Sequence, residues 1–177
     1  MQNQLAGNEG EMMENNRSSL STKMFEYNVW ANKRVIELCG NLDQDQLGIE
    51  VEGAYGRIYP TLVHLVSAEG GYVGRLAGSP LWPDDLDWEQ MSMADLVKRA
   101  HESGTKLVEI AHQVDIDLQH EVEHEGRPFY FFNWTVLLQA IYHGIEHRTQ
   151  IKILLTQLGV DHPDLSSWDY MEHLQGW

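Results

Sequence analysis

Apolar residues recur at spacings of three and four along four stretches of the chain, which is the pattern of helices that bury one face. The predicted helices cover residues 19–42, 60–77, 92–114 and 134–158. Serines at the starts of the first and third helices and Asn133 before the fourth are predicted N-caps. Four amphipathic helices of this length predict an all-α fold, a four-helix bundle.

The apolar period changes between the third and fourth helices. Residues 119–124 alternate weakly, residues 125–128 have the composition of a turn, and an aromatic run follows to Phe132. This pattern predicts a short β-hairpin between helices 3 and 4. A short C-terminal helix is expected within residues 165–177, with Trp168, Tyr170 and Met171 holding it against the bundle.

The chain divides into a lead-in and one domain. Residues 1–17 are polar and acidic and lack the basic and apolar regions of a secretory signal, so we expect a flexible N-terminal segment. Residues 18–177 suit a single domain with a full-sized core.

The charge balance excludes two classes of partner. Acidic residues outnumber basic ones 27 to 12, and the formal net charge is -15. A phosphate backbone or an anionic lipid surface would be repelled, so neither nucleic acid nor membrane is an expected partner. The single cysteine, Cys39, precludes an internal disulfide, which makes the cytoplasm the expected location.

His143 and His147 are the first candidate metal ligands. They are four residues apart, so on a helix they lie on one face, at the margin of the apolar stripe. Two imidazoles placed in this way can bind one metal ion. The alternative is that both are core histidines, each with its own hydrogen-bond partner. The spacing alone favours neither interpretation.

The second predicted helix adds two candidates. His64 borders an apolar stripe and would be a third ligand, although alone it also suits a partly buried histidine without a ligand role. Glu69 lies between apolar positions and needs a partner. It could be a catalytic base, hold a ligand imidazole in place, or form a salt bridge with Arg148 or Arg75. The other six histidines are not predicted ligands.

Three stretches together resemble a known family. They are YNVWAN at residues 27–32, TLVHLVSAE at residues 61–69, and HGIEHRTQI at residues 143–151, which has the form H-x-x-x-H-R-x-Q. In this order the chain resembles the DinB/YfiT-like family of four-helix proteins over residues 20–158.

The resemblance implies a divalent metal, zinc, nickel or iron, bound by His64, His143 and His147. Similar proteins include thiol-dependent enzymes, such as mycothiol-dependent maleylpyruvate isomerase and bacillithiol transferases. They imply a low-molecular-weight thiol as a partner or cofactor and a homodimer as the assembly. The expected function is therefore a metal-dependent thiol S-transferase or hydrolase that acts on a small molecule. The alternative is a non-catalytic, stress-associated bundle that binds a metal or another ligand.

Overall fold

The computed structural model describes residues 19–50 and 56–177. The predicted flexible lead-in, residues 1–17, lies outside the described residues. The described part contains six helices and one antiparallel pair of strands. In chain order they are α1 (Leu20–Cys39), α2 (Gln44–Leu47), α3 (Ile58–Ala77), α4 (Met93–Gln113), β1 (Gln119–His124), β2 (Arg127–Phe132), α5 (Asn133–Gln157) and α6 (Ser167–Gln175).

The four long helices α1, α3, α4 and α5 form the bundle that the apolar periodicity predicts. Helix α1 packs against α4 and α5, and α3 packs against the same two helices, so the four enclose one interior. Its centre consists of fully buried aliphatic side chains: Val35, Ile36, Leu62, Leu65, Leu96, Leu107, Ile151 and Leu154. The predicted all-α bundle, with a hairpin between its third and fourth long helices, is confirmed.

Side-chain caps mark the start of four of the described helices, with Ser19 before α1, Asp43 before α2, Ser92 before α4 and Ser166 before α6. Ser92 and Asp95 form the reciprocal capping box that their spacing predicts at the start of α4. Helix α1 ends at Cys39, a little earlier than predicted, with Gly40 as its C-cap. Asp43 and Gln46 form a second capping box, which starts the one-turn helix α2 that the periodicity did not reveal.

Helix α5 begins without the predicted cap. Its N-cap residue is Phe132, and Asn133 is already helical, so strand β2 runs directly into the helix. The Asn133 amide instead donates to the Asp115 carbonyl at 2.8 Å, and its Oδ1 lies 2.7 Å from His120 Nε2. The prediction of a cap was wrong because this side chain joins the base of the hairpin to the preceding loop.

The C-terminal helix α6 packs on α1 through aromatic rings. The Tyr170 ring centroid lies 5.4 Å from that of Trp30 and 6.1 Å from that of Tyr27. The Tyr27 hydroxyl also donates to the Leu165 carbonyl at 2.8 Å. Trp168 is 79% exposed, so only part of the predicted contact set holds this helix.

Burial accounts for the state of the single cysteine. Cys39 is fully buried, and burial raises the pKa of its thiol to about 12, so it is an unreactive part of the core. Among the residues that the structure describes, no helix has the length and apolarity needed to cross a membrane.

Candidate metal centre

The structure brings the three predicted histidine ligands together. His64 lies on α3, whereas His143 and His147 lie one turn apart on the facing helix α5. The His143 Nε2 and His64 Nε2 atoms are 3.1 Å apart. One ligand nitrogen from each of the three rings lies within 4.8 Å of the other two. The three histidines that the family resemblance implies as ligands therefore form a spatial cluster.

The geometry and chemistry of this cluster suit a divalent metal. Zinc binds imidazole nitrogen at about 2.0–2.1 Å, so two such nitrogens on one tetrahedral ion are about 3.3 Å apart. The separation of 3.1 Å between the His143 and His64 nitrogens is close to that value. Imidazole is a good ligand for zinc, nickel and iron. The three side chains fit a metal of this group.

Burial keeps two of the rings in the form that binds metal. His143 is 8% exposed, and burial, with His147 and His64 nearby, lowers its pKa to about 4. Burial also lowers the pKa of His64, and His147 adds to that effect. Both rings are then neutral at physiological pH, and a neutral imidazole has a lone pair to offer a metal.

The third ring is oriented by a neighbour one turn along its helix. His147 Nδ1 lies 2.8 Å from the Gln150 Oε1 atom. An amide oxygen only accepts, so Nδ1 donates in this contact, which makes Nε2 the candidate ligand atom. This is how ligand histidines are held in metal sites. Gln150 is part of the sequence motif, but no role was predicted for it. Its position three residues after His147, one helical turn away, was the signal that could have indicated this contact.

Glu69 belongs to a separate, buried polar network. Its Oε1 accepts from Ser103 Oγ at 2.5 Å, and its Oε2 accepts from Asn28 and Asn32 at 2.7 and 2.9 Å. The oxygens of the two asparagines accept in turn from Arg148 Nη1. Within the described residues Glu69 forms no direct ion pair. The sequence offered a salt bridge with Arg148 as an alternative, but the two side chains are instead connected through the amides of the two asparagines.

This network connects all four long helices at the level of the histidine cluster. Glu69 is 3% exposed, and burial raises its pKa to about 7, against the opposing effect of Ser103, Arg148 and the asparagines. All of its hydrogen-bond partners donate, so the network suits the ionised carboxylate. Arg148 also lies over the Tyr27 ring, 5.5 Å from its centroid. A role for Glu69 as a catalytic base stays a prediction.

Sequence reasoning missed three members of the network. Asn28 and Asn32 are spaced four apart on α1 and are fully buried, and Ser103 was assigned to the apolar stripe of α4. A pair of asparagines one turn apart on an otherwise apolar helix face was the signal that could have identified them.

The bundle and its histidine cluster define a class of helical proteins with a candidate three-histidine metal site. The model of the DinB family matches residues 12–175, so the chain belongs to this family. It is also similar to Protein DinB from Bacillus subtilis (strain 168). The two are 23% identical over 152 residues, which cover 80% of this chain and 88% of that protein. The family predicted from the three sequence motifs is confirmed.

Proposed function

We propose that this protein is a metal-dependent enzyme of the thiol S-transferase type, with a divalent metal bound by His64, His143 and His147. The observation that carries this proposal is the convergence of three ring nitrogens, all within 4.8 Å of one another. Three protein ligands are the usual number in a reactive zinc site, where a further position is left for water or substrate.

The protein supplies the orientation of the ligands. His143 and His147 are buried, whereas His64 is half-buried. Gln150 keeps the His147 ring in place. A divalent metal in this position would lower the pKa of a thiol or a water molecule and make it a nucleophile at neutral pH.

The surroundings favour a thiol over a water molecule as the nucleophile. A hydrolase also needs a general base close to the attacking water. Within the described residues the cluster consists of histidines alone, and both oxygens of Glu69 are occupied by Ser103, Asn28 and Asn32. A thiol needs only a lowered pKa to react. A thiol cosubstrate also agrees with action in the cytoplasm, where thiols are kept reduced.

The proposed assembly is a homodimer formed through the outer face of α5. Large apolar side chains there are exposed to solvent: Trp134, Leu138, Tyr142, Ile145 and Ile153. Such a row is typical of a protein interface. Light scattering after size exclusion should give a dimer for the wild type and a monomer for Leu138→Glu. Leu174→Glu, at an equally exposed leucine on α6, should stay dimeric. A monomeric wild type would contradict the proposed assembly.

Cobalt-loaded protein tests the function. Glutathione and 2-mercaptoethanol should each produce a sulfur-to-cobalt absorption band, and the protein should accelerate conjugation of the same thiol to 1-chloro-2,4-dinitrobenzene. His143→Ala should lose both signals, whereas His112→Ala, at an exposed position on α4, should keep them. Bound cobalt without any response to thiol would instead favour the non-catalytic binding bundle.

A further inference from the structure

A cavity of about 490 Å³ lies beneath the hairpin, outside the histidine cluster. Helix α3 contributes Tyr72 and Arg75 to its wall, the hairpin contributes Phe129 and Phe131, and α5 contributes Thr135 and Gln139. Its size is in the range of pockets that hold small organic ligands.

The cavity lies beside the candidate metal centre, between residues of α3 and α5. Tyr72 belongs to both places, because it lines the cavity and its ring meets the His143 ring edge-on at 5.7 Å between centroids. Gln139, on the other wall, precedes His143 by one helical turn. One end of the cavity therefore lies next to the histidine cluster, with Tyr72 between them.

The hairpin presents an apolar face to this cavity. In its register Val122 pairs with Phe129, and His120 pairs with Phe131, so these four side chains share one face of the sheet. Phe129 is 51% exposed, although it lines the cavity and lies 6.4 Å from Phe131 between ring centroids. Exposed aromatic rings on a concave wall are the surface that an aromatic ligand would cover.

Arg75 supplies the charge at the far end of the cavity. It is the only lysine or arginine among the described residues that line it, and it forms no ion pair within residues 19–50 and 56–177. Glu123 also lines the cavity, but the strand alternation places its side chain on the opposite face from Val122. His124 completes the polar rim.

We propose that this cavity is a binding subsite for an aromatic carboxylate, with the ring against Phe129 and Phe131 and the carboxylate on Arg75. The proposal rests on the proposed function, since it names the substrate class of the same centre. The Arg75 Cα lies about 16 Å along α3 from His64, so the reacting end and the carboxylate stand at opposite ends of the molecule. An otherwise acidic protein would then select an anionic substrate through one unpaired guanidinium.

Calorimetric titration of metal-free protein with 4-phenylbutanoate tests the subsite without any contribution from a metal. Saturable binding is expected, about tenfold weaker for Arg75→Gln and about tenfold weaker for the neutral 4-phenylbutanamide. Thr135→Trp, which fills the cavity, should abolish binding. Arg34→Gln, at an exposed arginine on α1, should bind like the wild type. Thermal melts verify that every variant is folded.

Two results would overturn the subsite. The first is that 4-phenylbutanoate binds the wild type and Arg75→Gln with equal affinity. The second is that folded wild-type protein does not bind it. Both are independent of the metal, because the titration uses metal-free protein. A failure of the proposed function appears instead as an absence of bound metal or of any thiol response, with the titration unchanged.

Discussion

The bundle contains two polar clusters, and their hydrogen-bonding chemistry differs. Around Glu69, donors meet acceptors: a hydroxyl and two amides donate to the carboxylate, and Arg148 donates to the same amides. Around His143, three ring nitrogens of one kind lie together. A pair of imidazole nitrogens can share one proton, whereas a single metal ion can accept lone pairs from all three. In the first cluster the carboxylate has its donors, and Arg148 Nη2 is buried without a hydrogen-bond partner in the described part of the chain. The second cluster has the ligand set of a candidate metal site.

Consecutive residues of α5 serve the two clusters. His147 and Arg148 are about 100° apart around the helix, so one faces the histidines and the other faces the asparagines of α1. Gly144 makes this arrangement possible, because a Cβ there would lie 2.6 Å from Asn28 Oδ1 and 2.8 Å from Arg148 Nη1. The comparison predicts that the Glu69 cluster determines stability and that the histidine cluster determines metal binding.

The largest expected effect is on the Glu69 cluster. Glu69→Gln should lower the free energy of unfolding by about 3–5 kcal/mol, since it leaves the buried Arg148 cation without a counter-charge. Urea denaturation measures the loss, and Glu109→Gln on the exposed face of α4 is the control. The folded fraction should still bind metal. Unchanged stability would show that the carboxylate does not balance this cation.

The histidine cluster should respond to added metal. Zinc at a hundredfold excess over its dissociation constant should raise the free energy of unfolding by about 2.7 kcal/mol, because it binds the folded chain. His143→Ala should lose this increment, whereas its stability without zinc changes much less than that of Glu69→Gln. Denaturation with and without zinc measures both effects. Stabilisation of His143→Ala equal to that of the wild type would place the zinc elsewhere.

Two glycine variants should have opposite effects. Gly144→Ala should lower the free energy of unfolding by about 1–3 kcal/mol, since the added methyl meets Asn28 and Arg148. Gly71→Ala, inside α3 with nothing within 4 Å of the new methyl, should raise it by about 0.5–1 kcal/mol. Thermal melts of the pair compare them directly. If Gly144→Ala leaves the free energy of unfolding unchanged, the two clusters do not require the close approach of Asn28 and Arg148 to the backbone at this position.

Near neutral pH the smallest expected effect comes from protonation of His143 in the metal-free protein. NMR of its ring should show a midpoint of about 4, because burial and the neighbouring imidazoles disfavour the cation. The unfolded chain takes up that proton at about pH 6.5. This group therefore lowers the free energy of unfolding as the pH falls from about 6.5 towards 4, and has no effect above that window. A midpoint near 6.5 would show that the ring is solvated.

The two clusters differ in how far the sequence predicts them. The apolar period encodes burial, so it revealed the four long helices, and the edge of that stripe marked His64, His143 and His147. The Glu69 network could not be predicted in the same way. Asn28 and Asn32 are polar residues within the apolar stripe. Whether they are satisfied in the core depends on which hydrogen-bond partners the neighbouring helices place opposite them. The cavity depends on how the hairpin folds over α3, which a local pattern does not encode.

The metal content of protein purified without a chelating tag tests the central claim most directly. Mass spectrometry of the wild type should give about one divalent metal ion per chain. His143→Ala should give essentially none while it remains folded, and His112→Ala should match the wild type. A folded His143→Ala that retains the full metal content, or a wild type that neither carries nor takes up zinc, would contradict the three-histidine metal centre.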